Sequence, residues 1–239
     1  MNTTASRIDA ALRSLGELSP PPPSPALLAL ARDPRPVARV APGRSLALVF
    51  GASLFVVAVH VHSHCVRRDL AALPRAWFWA TALAWLAAFA APLAIALVPR
   101  RGAMWADTRA ARAAAVAVPV VAIALSLLLR VDAAPATRLL TDPAKVREEL
   151  EWCLVTGLEM NAVPFALGVM ALRRAPLPLH LRWIGAALGA ANGALAGLML
   201  HLACDVGGAL HAGVSHAGHA VIGSIAGAWL VPTLARPRS

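Results

Sequence analysis

The chain has 239 residues, of which 59% are hydrophobic and only 14% charged, with 22 basic residues against 12 acidic ones and a formal net charge of +10. One core of ordinary surface-to-volume ratio cannot hide that much apolar surface, which excludes an ordinary water-soluble globule and makes a bilayer the expected solvent. The positive charge alone would suit nucleic acid, but in a membrane chain the placement of arginine matters more than its total, and no direct nucleic-acid contact is expected.

The first 44 residues are polar and proline-rich and precede every long apolar run. They lie too far from a hydrophobic stretch to act as a cleavable secretory signal, so the N-terminus is expected to be retained. Within "ASRIDAALRSLGELS", Ile8, Leu12 and Leu15 recur at helical spacing and predict one short helix with a narrow apolar face. "PPPSP" (21–25) then predicts a stiff, extended connector, and "ALLALARDPRPVARV" offers a second stripe through Leu27, Leu28 and Leu30. So little apolar area cannot offset the ordering entropy, and the segment is expected to be partly disordered until a partner covers its stripes. Arg39 and Arg44 suit anionic lipid headgroups at the membrane entry.

Six runs are then long and apolar enough to cross about 30 Å of hydrocarbon: 46–64, 77–98, 113–131, 152–172, 183–204 and 214–233. The predicted class is an all-α integral membrane protein, with a segment 1–44 and a six-helix domain 45–239. Positive residues favour the cytoplasmic side. With both termini inside, only Arg67, Arg68, Arg75, Arg130, Arg138, Lys145 and Arg147 of the 22 basic residues fall outside. Trp77, Trp152, Trp183 and Trp229 lie near the predicted helix ends, where the amphipathic indole prefers to sit. Gly185, Gly189, Gly193 and Gly197 share one face of the fifth run, and Gly223 and Gly227 repeat the spacing in the sixth, which predicts a tight hairpin.

This topology gathers the metal-binding and titratable side chains at the outer face. "VHVHSHC" ends the first run with His60, His62, His64 and Cys65, and "EWCLV" opens the fourth with Cys153. "HLACDVGGALHAGVSHAGH" joins the fifth to the sixth and carries His201, Cys204, Asp205, His211, His216 and His219. Three chemistries suit such a set. Thiolate and imidazole ligate zinc, copper or cadmium-like ions, with His201 and Cys204 one helical turn apart, as are His216 and His219. Cys153 and Cys204 can instead form or exchange a disulfide in an oxidising compartment. Histidines titrating near pH 6.5 can also sense protons. No paired CxxC motif selects among them. Inside the fourth run, Glu159, with Asn161 and Pro164 nearby, is the one candidate for an ion or proton path.

Three stretches carry a family resemblance: "RRDLAALPRAWFWATALAWLAAFA", "EWCLVTGLEMNAVPFALGVMALRRAPLPLHLRWIGAALGAANGALAG" and "LHLACD". They resemble the NrsF-type family of bacterial anti-sigma factors over residues 45–233. The resemblance implies a six-helix protein of the bacterial inner membrane that inhibits a sigma factor of the extracytoplasmic-function class. It also implies that Cys153 and Cys204 are an outward-facing pair that senses heavy-metal or redox stress. The family's His before the second cysteine and Pro after it are here Ala203 and Asp205, and Cys65 has no counterpart.

The expected function is therefore regulatory and not enzymatic. The cytoplasmic segment sequesters the sigma factor through Ile8, Leu12, Leu15, Leu27, Leu28 and Leu30, and chemistry at the outer cysteines and histidines releases it. No cofactor is required, and a soft metal ion of the zinc, copper or cadmium type is the expected ligand. The alternatives are a metal-ion or proton transporter, which needs a polar track, and a membrane redox or haem protein, which needs paired cysteines or depth-matched histidines.

Overall fold

A computed structural model describes residue 25 and residues 41–64, 66–99, 106–128, 142–174, 180–206, 208 and 211–235. The chain divides into two units, Met1–Arg39 and Val40–Ser239, and every helix discussed below belongs to the second. Ile8, Leu12, Leu15, Leu27, Leu28, Leu30 and Cys65 lie outside the described residues, as does the side chain of His64.

Among the described residues of the second unit, six helices follow one another: α1 (Pro42–His64), α2 (Arg75–Leu97), α3 (Thr108–Leu128), α4 (Pro143–Arg174), α5 (Leu181–Ala203) and α6 (Gly218–Ala235). A 3-10 turn, Leu70–Ala72, lies between α1 and α2, and a π-helical turn, Ala212–Ala217, leads into α6. No β-strand occurs among the described residues. Six helical segments are long and apolar enough to cross a membrane, the sixth counted with its π turn.

The expected runs all fall on these helices, and the largest difference is at α4. It starts at Pro143 rather than 152 and, at 32 residues, is about 48 Å long. Asp142 caps it, its Oδ1 accepting the Ala144 N–H at 2.9 Å, and Pro143 takes the first helical position, where no N–H is needed. The first turns are charged and exposed and carry an Arg147–Glu151 ion pair at 2.7 Å across one turn. Hydropathy registers only the apolar part that follows. Asp107 caps α3 in the same way, accepting the N–H groups of Arg109 and Ala110 at 2.9 and 3.1 Å.

Helix α5 is the axis, with every residue from Ile184 to His201 buried. Around it the other five close a ring in the order α1, α2, α3, α6, α4 and back to α1. Lipid offers no hydrophobic reason for one helix to leave it for another, so association depends on close backbone packing. The glycines provide that approach. A Cβ on Gly185 would meet the Gly227 carbonyl and one on Gly189 the Gly223 carbonyl, while one on Gly193 would strike the backbone of His219 and Ala220. A Cβ on Gly197 would strike the Trp85 ring of α2 instead. These pairs run in opposite directions along the two helices, so α5 and α6 form the expected antiparallel hairpin. On the outside of the ring, Leu48, Phe55, Leu83, Val116, Ile225 and Trp229 are exposed, the surface expected of a chain solvated by lipid.

The bundle has two chemically different ends. At one, the Arg112 guanidinium lies 4.9 Å from the Trp183 ring centre and that of Arg182 lies 5.5 Å from Trp229, with Arg173 and Arg174 in the last turn of α4. At the other, α5 and α1 end and α4 and α6 begin, and there Cys153, Cys204, His201, His211, His216 and His219 lie.

Candidate functional site

Three elements meet at this second end. Cys153 sits roughly three turns into α4 and is fully buried. Cys204 follows the last turn of α5, where its N–H still bonds to the Leu200 carbonyl at 2.8 Å and its backbone turns extended at φ −91°, ψ 124°. His211 lies just before the π turn and is buried. The two sulfurs are 3.9 Å apart, and His211 Nε2 is 3.7 Å from Cys153 Sγ and 3.3 Å from Cys204 Sγ. At that separation the two sulfurs are not joined in a disulfide.

These separations can be compared with what a metal demands. A tetrahedral zinc-type ion with sulfur at about 2.3 Å and nitrogen at about 2.0 Å places two sulfurs about 3.8 Å apart and a sulfur and a nitrogen about 3.5 Å apart. The three atoms here, which all lie within 4.8 Å of one another, already stand close to those distances. The same closeness makes Cys204 acidic. The Cys153 thiol and the rings of His211 and His216 hold the Cys204 thiol below its usual range, against the opposing pull of burial. The trio is therefore suited to binding a soft ion, and its neighbouring thiols also suit a two-electron oxidation.

Other side chains fix the site's frame. Arg67, from the connection between α1 and α2, pairs with Asp69 at 2.5 Å and 2.7 Å, both side chains being buried. Arg67 also donates from Nη1 to the His201 carbonyl at 3.3 Å, and its backbone N–H donates to the Leu202 carbonyl at 3.1 Å. The last carbonyls of α5, which a helix leaves without partners of its own, are thus occupied one turn before Cys204. His201 points away from the thiols. Its Nε2 donates to the Phe78 carbonyl at 3.1 Å, and its ring stacks on Phe78 at 4.9 Å between centres, with Trp77 at 5.4 Å. His219 Nε2 donates to the Leu154 carbonyl at 3.0 Å, and its ring fills the space that Gly157 leaves open. That bond ties α6 to α4 beside Cys153.

Of the residues singled out from sequence, the structure thus brings together Cys153, Cys204 and His211. The His216 ring lies edge-on to that of His211, 5.6 Å between centres. His201 and His219 are near in space but engaged with backbone carbonyls. Asp205 is buried beside Cys204, His60 is buried near the end of α1, and His62 is exposed. Glu159 lies on the exposed face of α4 rather than inside the bundle. Sequence reasoning missed Arg67, Asp69 and Phe78. The first two carried a signal, an acidic residue beside two arginines in the short connection between α1 and α2. Phe78 acts through its carbonyl and carried none.

The model of the NrsF family, described as negative regulator of sigma F, matches residues 30–236. No curated protein and no solved structure matches the chain.

Proposed function

The chain belongs to the NrsF family of negative regulators of a sigma factor, and from that premise we propose that it is a membrane anti-sigma factor whose far end carries its sensor. Residues 1–44 hold a sigma factor of the extracytoplasmic-function class at the cytoplasmic face of the bacterial inner membrane, where it cannot join core RNA polymerase. The Cys153, Cys204 and His211 site faces outward and receives a heavy-metal ion or an oxidant. Both termini are cytoplasmic, an orientation supported by the arginine-rich end of the bundle. The observation that carries the reading is the meeting of two cysteines and an imidazole at ligand spacing on three separate helical elements, at the end opposite those arginines.

The coupling follows from which parts can move. A ligand shared by Cys153, Cys204 and His211 ties α4 to the α5–α6 junction at their common end. Interlocked glycines make α5 and α6 behave as one stiff hairpin, so a shift at the outer end is delivered to the inner end without being absorbed by repacking. Signalling requires that the ion bind the released state more tightly than the holding state, by as much free energy as it costs to free the sigma factor.

The test is a reporter strain that reads the sigma factor's target promoters under cadmium-like ions and under a thiol oxidant. Cys153→Ser and Cys204→Ser should each abolish induction while the sigma factor still co-purifies with detergent-extracted protein. Normal induction in both variants would sink the sensor assignment, and absence of co-purification would sink the anti-sigma assignment.

A further inference from the structure

The candidate site has three ligands, whereas a buried structural or sensory zinc-type site takes four. We propose that His216 is the fourth ligand, so that Cys153, Cys204, His211 and His216 form a closed two-cysteine, two-histidine centre for a divalent ion of the zinc class. This rests on the sensor reading above and goes beyond it by naming the coordination and the class of ion.

Four observations converge on His216. Its ring is buried and lies against that of His211, and its Nε2 has no hydrogen-bond partner among the described residues, a cost that buried polar atoms rarely bear without a purpose. The π turn that carries it sets its ring on the His211 side. The neighbouring His201 and His219 each spend Nε2 on a backbone carbonyl, of Phe78 and of Leu154. The thiols and the His211 ring are all buried, which leaves bulk water poorly placed to complete the shell.

The backbone explains how two histidines five residues apart can face one ion. In a regular α-helix, positions i and i+5 diverge, since 3.6 residues complete a turn. Residues 212–217 are π-helical, and i→i+5 hydrogen bonding brings residues five apart over one another. The glycine interlock of α6 with α5 sets the register of α6, and the π turn takes up the extra residue, which turns His216 toward the side that His211 occupies. Two thiolates and two neutral imidazoles around a divalent cation also sum to zero charge, which suits a buried centre. On binding, each thiol releases its proton to bulk solvent as its sulfur lone pair is given to the metal, with no change of oxidation state.

The experiment uses the full-length reduced chain in lipid nanodiscs with Co2+ as the spectroscopic probe and Zn2+ as competitor. The wild type should bind one Co2+ with sulfur-to-metal charge-transfer bands and the strong d–d bands of a four-coordinate ion. His216→Ala should keep the charge-transfer bands, lose intensity in the d–d bands and bind zinc at least about tenfold more weakly. His216→Cys should restore the four-coordinate d–d bands and strengthen the charge transfer, and His62→Ala, at an exposed position, should match the wild type. A d–d spectrum and zinc affinity unchanged in His216→Ala would overturn the proposal. Should that variant fail to fold, as judged by elution and helical circular dichroism, His216→Cys decides, because unchanged charge transfer there would also overturn it. A wild type that binds neither ion overturns it as well. That outcome is distinct from failure of the sensor reading, which is scored by loss of induction in Cys153→Ser cells.

Discussion

Arg67 shows how a single buried ion pair serves a site it never touches. Its guanidinium is shared between Asp69, which is fully buried, and the carbonyl end of α5 just before Cys204. Removing one partner of such a pair strands the other charge and costs about 3–5 kcal/mol. Arg67→Ala is therefore expected to lower the thermal midpoint of the detergent-solubilised protein markedly. Arg67→Ala with Asp69→Asn should recover much of the loss, because no buried charge is then left unpaired. Cys204 supplies a pH prediction at the same scale. Its thiol is held below its usual range by Cys153, His211 and His216 against desolvation, so the thiolate persists at pH values where a free thiol is protonated. Metal uptake by the wild type should thus continue below about pH 8.5, the ordinary thiol value, and fall as acid protonates the ligand atoms. His211→Ala should move that fall upward in a zinc titration repeated across pH, and an unchanged profile would show that His211 does not tune the thiol.

At the scale of elements, the α5–α6 hairpin is where a small change does most harm. Gly189→Ala places a methyl group on the Gly223 carbonyl, with backbone on both sides and nothing flexible to yield, so it should cost at least the about 1–3 kcal/mol of ordinary overpacking. Gly51→Ala on α1 meets open space and should be neutral or gain up to about 1 kcal/mol from helix propensity. Resistance of membrane-embedded protein to proteolysis compares the two, and equal resistance would mean that the hairpin is looser than its glycines suggest. The hairpin was legible in sequence because four-residue glycine spacing is a direct consequence of helix periodicity. The start of α4 was not, since residues 143–151 are charged and hydropathy ignores a helix that projects beyond the apolar layer. Asp142 and Pro143 were its only written signals. The π turn was illegible as well, because nothing local in "HAGVSHAGH" distinguishes i→i+5 from i→i+4 bonding and the choice depends on how α6 seats on α5. For that reason spacing suggested pairing His201 with Cys204 and His216 with His219, whereas the structure turns His201 and His219 to carbonyls and places His211, seven residues beyond Cys204, between the sulfurs.

At the scale of the molecule, the bundle has an arginine-rich end and a thiol and imidazole end, and the proposed output lies in segment 1–44. The family match begins at residue 30, so most of the proposed sigma-binding stripe lies before it. Its test is mutation of the apolar face that helical spacing defines. Changing Leu12 and Leu15 together to Asp should release the sigma factor and switch on its promoters without stress while the protein stays in the membrane, because helix-in-groove binding concentrates its energy in a few buried side chains. Full repression by that double variant would place the inhibitory surface elsewhere. The central claim, that ligation at the thiol end frees a sigma factor held at the other, is tested most directly by reconstitution. The full chain is placed in nanodiscs with its sigma factor bound, and retention of the sigma factor is measured as Zn2+ or Cd2+ is titrated in. The account predicts stoichiometric retention without metal, release at about one ion per chain, and unchanged retention throughout in Cys153→Ser. Release at the same metal concentration from Cys153→Ser, or retention by the wild type with the ion bound, would contradict it.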